Sequence, residues 1–293
     1  MEYPTPITIN HVVLGLSLAR GDRFCKGLDI HYLTKNQISE LSNAFIQAQK
    51  SVTPITNPID QYPNMTIAEA YSIQQTTYQT RIKNGDTVVG GKIGLSSKIM
   101  QEVFNTDQPI YGSLFSSMVA LEGDPISIGS MIRPLIEGET AFVLDTDLKG
   151  PGATVGKAMA SIAGIIPAFE IADSRSKEKP KAAQDLIADS SLASKVILGG
   201  QITPIDEIDL RHIGVVLEQD GEVIATGATA AVLGNPIHSL VNLVNKLAEY
   251  DIGLSAGDFV IPGTPHPAVP AVAGSCYRAT FDHFGYVKVR FTD

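Results

Sequence analysis

Residues 133–144 read RPLIEGETAFVL, from Arg133 through Glu137 and Glu139 to Leu144. The run Thr140-Ala141-Phe142-Val143-Leu144 has the aromatic and β-branched content of a strand, and side chains two apart on a strand share a face. Glu137 and Glu139 therefore point the same way. Two neighbouring carboxylates repel unless a cation lies between them, so a Glu-x-Glu entering an apolar strand suggests a hard metal ion. A solvated strand end carries the same pattern, and both readings stand at this point.

Outward from this stretch, the chain beyond residue 86 keeps a strand-like rhythm. Short runs at Thr87–Ile93, Met118–Leu121, Val196–Leu198, Gly214–Leu217, Glu222–Thr226, Asp258–Ile261 and Tyr286–Phe291 are separated by Gly, Pro and Asp. Helical patterns interrupt them at Val155–Ile166 and Ile237–Tyr250, where Leu240, Leu243, Val244 and Leu247 share a face. Many short strands with few helices predict an α+β fold built on a curled or sandwiched mixed sheet, rather than a doubly wound one. Neither GxGxxG nor GxxxxGK[ST] occurs, which removes the usual anchors of a nucleotide fold.

The first part of the chain reads differently. Ile38, Leu41, Phe45 and Ala48 recur at helical spacing behind Thr34 or Asn36, either of which can cap, and Thr66 with Glu69 forms a capping box before Ala70, Ile73, Tyr78 and Ile82. A proline-rich connector separates the two helices. The expected organisation is an N-terminal helical part over residues 1–85 and a β-rich, metal-binding catalytic domain over 86–293.

Composition narrows the function. With 22 basic against 31 acidic residues the net charge is −9, which repels a phosphate backbone and excludes nucleic acid as a partner. Cys25 and Cys276 share no metal or disulfide spacing, which fits a reduced, cytoplasmic setting. The apolar run Val12–Ala19 is too short for a span and lacks the flanks of a signal peptide, so no membrane association is expected.

Two further stretches carry chemistry. Ile165-Ile166-Pro167-Ala168-Phe169-Glu170-Ile171-Ala172 sets one carboxylate, Glu170, in an otherwise apolar strand, where it needs a cation, a metal or a proton. Joined to Glu137 and Glu139 it would complete an all-oxygen site, which selects Mg²⁺ or Mn²⁺ over zinc. Gly90-Gly91-Lys92-Ile93-Gly94 holds a lysine among glycines and β-branched residues. Half-buried beside a metal, Lys92 would have a lowered pKa and could move protons; a surface lysine reaching out from a strand fits the spacing equally well.

These stretches occur in a recognisable order. Gly90–Ser97, Gln108-Pro109-Ile110-Tyr111-Gly112, Ile136–Leu144, Pro167–Arg175, Ile187–Ser190, Ala230–Pro236, Leu254–Asp258 and Phe284–Phe291 together resemble the 2-keto-4-pentenoate hydratase / 4-oxalocrotonate decarboxylase family, within the fumarylacetoacetate hydrolase superfamily. The resemblance runs over about residues 34–291, and the first thirty residues are additional. It implies the β-roll of that superfamily, metal ligation of Mg²⁺ or Mn²⁺ by Glu137, Glu139 and Glu170, and acid–base work by Lys92. It implies substrate orientation by Ser96, Asp189 and Thr264. The implied substrate is a small 2-oxo acid, a 2-oxo-4-enoate or its 2-hydroxy-2,4-dienoate tautomer, hydrated to a 4-hydroxy-2-oxo acid or decarboxylated. Aromatic catabolism and a homo-oligomer, complexed in some cases with a sister enzyme of the pathway, complete what the resemblance implies.

Departures from the family pattern bear on the choice of reaction. In the hydratases Gln-Pro is followed by Asp-Phe-Gly, whereas Ile110-Tyr111-Gly112 is the decarboxylase form; Glu137-Gly138-Glu139 follows the hydratases against the Glu-Pro-Glu of decarboxylases. Hydration is the reading taken first, because no dedicated cation for a second substrate carboxylate stands out. His266, in Gly263-Thr264-Pro265-His266, is unusual and reads as an exposed loop histidine or as a contact to the distal end of a substrate. Residues 176–183 are charged where many relatives carry aromatics, which suggests a lid with different contacts. Arg133 and Arg175 read as carboxylate binders or as structural ion pairs. His11, His31, His212, His238 and His283 read as structural. A non-catalytic partner subunit is the rival from another class, and intact Glu137, Glu139, Glu170 and Lys92 argue against it. Acylpyruvate hydrolysis lacks its histidine between residues 97 and 118.

Overall fold

Thr34 and Thr66 each close a capping box, and the helices behind them are α1 (Lys35–Ser51) and α3 (Ile67–Lys83), with the short α2 (Pro58–Gln61) between. The computed structural model describes residues 33–293, which form one compact unit; His11, Cys25, His31 and the remainder of the first 32 residues lie outside the described residues. Leu41 and Phe45 of α1 and Ala70 and Ile73 of α3 bury their apolar faces against Leu186 and Ile187. Each such large side chain contributes about 1.5–3 kcal/mol.

The strands are β1 (Val88–Gly94), β2 (Ile110–Phe115), β3 (Val119–Ala120), β4 (Pro125–Ser127), β5 (Pro134–Leu144), β6 (Ile162–Asp173), β7 (Ala193–Leu198), β8 (Gly214–Gln219), β9 (Glu222–Ala228), β10 (Phe259–Ile261), β11 (Val269–Pro270), β12 (Cys276–Phe281) and β13 (Gly285–Thr292). Helices α4 (Lys98–Val103), α5 (Val155–Ala160), α6 (Ala183–Ala188) and α7 (Pro236–Leu247) join them. An eight-stranded sheet has the order β2-β1-β10-β5-β6-β7-β3, with β11 also on β5, and a five-stranded sheet the order β4-β13-β12-β8-β9. Both mix parallel and antiparallel pairs, as expected of an α+β roll.

Strand alternation decides what lies between the sheets. Ile136 and Phe142 of β5 and Phe169 and Ile171 of β6 enter the core shared with Leu217, Tyr277, Val289 and Phe291 of the second sheet. The opposite face of the same strands carries Ala141, Ile166 and Ala168, and with them Glu137, Glu139 and Glu170. Helix α7 covers the roll with Leu240, Leu243 and Val244, as its spacing predicts.

The helix expected over Val155–Ile166 stops at Ala160, and β6 begins at Ile162. Thr154 caps only one and a half turns. Pro167 has no N–H to give a helix and disfavours helical backbone at Ile166, and the β-branched Ile162, Ile165 and Ile166 favour a strand.

Gly90 marks an irregular register in β1, where a Cβ would lie 1.8 Å from the Phe259 carbonyl oxygen of β10. No flexible side chain can yield there. Gly90→Ala is expected to cost about 3 kcal/mol or more, read as a lower midpoint in urea unfolding.

Candidate metal centre

Glu137 and Glu170 are direct cross-strand partners on β5 and β6, and Glu139 lies two residues along the same face of β5. One oxygen from each lies within 4.8 Å of the others. Glu139 is fully buried and Glu170 is 1% exposed. This excludes the solvated strand end. Glu139 Oε1 and Glu170 Oε2 have no hydrogen-bond partner, and a buried, unpartnered carboxylate oxygen is costly without a proton or a cation.

Lys92 reaches this cluster from β1. In a flat sheet β1 and β6, with β10 and β5 between them, would be about 14 Å apart, so the contact of Lys92 Nζ with Glu170 Oε1 at 2.5 Å requires the sheet to curl into a roll. Nζ also donates to the Ser191 carbonyl at 2.9 Å, and the side chain is buried rather than half-buried. The turn presenting that carbonyl is strained. Ser190, Ser191 and Leu192 have φ of 54°, 52° and 61°, a run of left-handed backbone without glycine that costs about 1 kcal/mol or more per residue. Ser191 Oγ donates to the Tyr111 carbonyl at 2.8 Å, tying β2 to the turn that leads into β7.

The electrostatics follow from these contacts. Burial, and then the charge of Glu170, push the Glu137 carboxyl up to about 7, against the pull of Lys92. Burial, then Glu170 and Glu137, raise Glu139 well above the carboxylate range, although Gly263 N–H donates to its Oε2 at 2.7 Å. Burial depresses the Lys92 ammonium, but the facing Glu170 and Glu137 outweigh it and hold Lys92 above its ordinary value. The carboxylates that outweigh its burial are the same groups that would hold a metal ion. Once ionised, three carboxylates against one ammonium would leave two negative charges, and the all-oxygen donor set with two orphaned oxygens suits a hard divalent cation.

The loop after β10 completes the site. β10 pairs with β5 at Val143 and Phe142, and β11 pairs with it at Ile136 and Leu135. Between these pairings residues 262–268 leave the sheet, and their polar groups stand in for a strand. Gly263 N–H holds Glu139, the Thr264 hydroxyl lies 3.2 Å from both the Gly138 and the His266 carbonyls and shares its proton between them, and Gly138 N–H donates to His266 Nε2 at 3.2 Å. His266 is 5% exposed, so it is not an exposed loop histidine. Both ring nitrogens are taken by backbone, because Nδ1 lies 2.9 Å from the Pro267 carbonyl, and neither is left for a distal substrate group. Burial lowers its pKa and keeps the ring neutral.

Other expected residues are placed as follows. Asp189 faces Arg175, with Oδ1 2.8 Å from Nε, and accepts the Arg175 N–H through Oδ2. Arg175 in turn donates to the Asp173 and Ala193 carbonyls, so this is a buried ion pair fastening β6 to β7. Burial raises Asp189 to about 7 against the pull of Arg175. Ser96 packs its Oγ on Gly263 and lines a cavity of 790 Å³ with Lys98, Gln101, His238 and Asn242. Ile110 is packed in the apolar cluster with Leu41 and Leu95. The charged segment after Arg175 is fastened down: Lys177 N–H donates to the Ile55 carbonyl, Asn57 to that of Lys179, and Arg133 to that of Lys177. His212, His238 and His283 take no part in the cluster. The sequence reading missed Ser191 and Gly263, whose contributions are backbone groups and leave no signal in side-chain type.

No described helix is long and apolar enough to cross a membrane. Residues 92–292 match the family described as fumarylacetoacetate (FAA) hydrolase, C-terminal. The chain is 34% identical to the 4-oxalocrotonate decarboxylase of Pseudomonas sp. (strain CF600) over 259 residues, 88% of this chain and 98% of the relative. It is 35% identical to the 2-keto-4-pentenoate hydratase of Burkholderia vietnamiensis over 258 residues, again 88% and 98%. Among solved structures it resembles the 4-oxalocrotonate decarboxylase of Pseudomonas putida, complexed with magnesium and adipate, at TM-score 0.85 and 34% identity over 88% of this chain and 98% of that one.

Proposed function

We propose, for a chain that belongs to the fumarylacetoacetate hydrolase family, a divalent-metal-dependent lyase that hydrates a 2-oxo-4-enoate, or its 2-hydroxy-2,4-dienoate tautomer, to a 4-hydroxy-2-oxo acid. The observation that carries this reading is the convergence of Glu137, Glu139 and Glu170 with two orphaned oxygens, beside a lysine held at 2.5 Å. These three carboxylates would hold Mg²⁺ or Mn²⁺, which supplies Lewis-acid stabilisation of negative charge building on the substrate's C2 oxygen. Lys92 spends two N–H groups on Glu170 and Ser191, and the third would be free to donate its proton to a carbon of the substrate chain, leaving a neutral amine that Glu170 or water reprotonates. Asp189 keeps Arg175 in place behind the Ser190–Leu192 turn, Thr264 fixes the Gly138 carbonyl, and Ser96 walls the site at Gly263. The protein works on a small 2-oxo acid, as a homo-oligomer in the cytoplasm, alone or with a sister enzyme of the same pathway.

One observation favours a second reading, decarboxylation of 2-oxo-3-hexenedioate. Ile110 is apolar, 4% exposed and packed, so no carboxylate stands at that position to assist water, and the diacid adipate is held by a similar solved decarboxylase. Purified protein with Mg²⁺ should be given 2-hydroxypenta-2,4-dienoate and 2-oxo-3-hexenedioate separately, following dienol absorbance and CO₂. Loss of dienol with formation of a 4-hydroxy-2-oxo acid and no CO₂ is the expected result. CO₂ from the diacid, with the monoacid untouched, would establish the second reading. No metal-dependent turnover of either would reject both.

A further inference from the structure

Gly138 lies between two of the three carboxylates, on the part of β5 that has lost its neighbouring strand. Strand residues owe their orientation to ladder hydrogen bonds on both sides, and here one side is supplied by side chains. His266 accepts the Gly138 N–H at 3.2 Å and Thr264 donates to its carbonyl at 3.2 Å. The acceptor role of Nε2 is fixed from behind: the Pro267 carbonyl can only accept, so Nδ1 carries the proton and Nε2 has a free lone pair. The fit is close on both sides, because a Cβ on residue 138 would lie 3.0 Å from His266 Nε2 and 3.0 Å from Ala279 Cβ. A side chain here would press the ring and Ala279 apart by a few tenths of an ångström, and only a residue other than proline has the N–H to give.

We propose that His266 is a positioning residue, which acts as a surrogate strand partner for Gly138 and thereby sets the directions of the Glu137 and Glu139 carboxylates toward a divalent cation. The inference rests on the metal-site reading above. Outer partners of this kind typically govern about 10–100-fold in metal affinity. The two ring nitrogens of His266 are spent on the Gly138 N–H and the Pro267 carbonyl.

The test is Mn²⁺ titration of the purified, metal-stripped protein without substrate, read by the electron paramagnetic resonance of free Mn²⁺. His266→Leu fills the space but leaves the Gly138 N–H unpaired, and is expected to weaken Mn²⁺ binding about 10–100-fold. His266→Gln restores an acceptor oxygen near the place of Nε2 and is expected to keep most of the affinity. Equal binding by wild type and His266→Leu would overturn the inference alone, as would a His266→Gln variant as weak as His266→Leu. A wild-type protein that binds no Mn²⁺ would overturn the metal-site reading and the inference together. A measurement independent of any variant's folding is the long-range ¹H–¹⁵N spectrum of histidine-labelled wild type. Protonation at Nδ1 with an accepting Nε2 is expected, and an Nε2–H tautomer overturns the proposal.

Discussion

Lys92→Met is expected to lower kcat about 10³–10⁴-fold while leaving Mn²⁺ binding at least as tight as in wild type. The two observables part because Lys92 stands in two relations to the cluster. As the group that moves the substrate proton it has no replacement, since no other buried ammonium lies beside Glu170 among the described residues. As a charge it opposes a cation: removing it leaves three carboxylates with no internal counter-ion, a more attractive cradle for Mn²⁺. Methionine keeps most of the stem's volume, so packing against Gly112 changes little. The metal-free variant should nevertheless be less stable than wild type, because breaking a buried pair leaves Glu170 without its partner at a cost of about 3–5 kcal/mol. Added Mg²⁺ should restore most of that loss. Single-turnover rates and Mn²⁺ titration on one preparation decide the matter. A variant that keeps a tenth of wild-type kcat would remove Lys92 from the chemistry, and one that loses Mn²⁺ binding would make it a structural strut.

What the sequence disclosed about this site follows from how its parts are built. Glu137 and Glu139 were legible because strand alternation is a local rule, and Glu170 because a lone carboxylate in an apolar run calls for a counter-charge wherever the run lies. That all three meet depends on β5 and β6 pairing with Glu137 opposite Glu170, a register that only the folded sheet defines. The two amphipathic helices α1 and α3 announced themselves by capping boxes and spacing. Strands β2 and β12 did not. The first, Ile110–Phe115, is buried almost throughout and lacks alternation, while the second, Cys276–Phe281, alternates cleanly over only six residues, with Tyr277, Ala279 and Phe281 inward. The environment of Lys92 was misjudged because its burial comes from the curl of the sheet, not from its neighbours in sequence. His266 was misjudged for a related reason: its partner, Gly138, lies 128 residues away and offers only a backbone N–H.

Removal of divalent metal is expected to make the protein's stability fall as pH rises from about 5 through 7 and beyond, and Mg²⁺ should correct this more at pH 8 than at pH 5.5. The sign follows from proton counting. Glu137 titrates near 7 in the folded protein against an ordinary 4.5, so between those values the native state holds a proton the unfolded chain has released. Wherever the native state binds more protons, raising the pH favours unfolding, up to the folded-state value and no further. Asp189, at about 7 against 3.8, adds a loss of the same sign, and Glu139, which burial raises well above the carboxylate range, adds one that continues above Glu137's value. Lys92 is raised as well, but a raised lysine keeps its full contribution below its ordinary value and surrenders it only above, outside this window. A divalent cation takes the place of the protons on the glutamates, and its affinity therefore climbs with pH over the same range. At about a hundredfold over Kd it adds about 2.7 kcal/mol, or roughly 5–10 °C in Tm for a chain of this size. Asp189 is paired with Arg175 rather than placed among the ligands, so its share of the decline should persist when Mg²⁺ is present. Thermal unfolding at pH 5.5, 7 and 8, with and without Mg²⁺, separates the two contributions. A Mg²⁺ shift equal at all three values would show that Glu137, Glu139 and Glu170 are not where the ion binds.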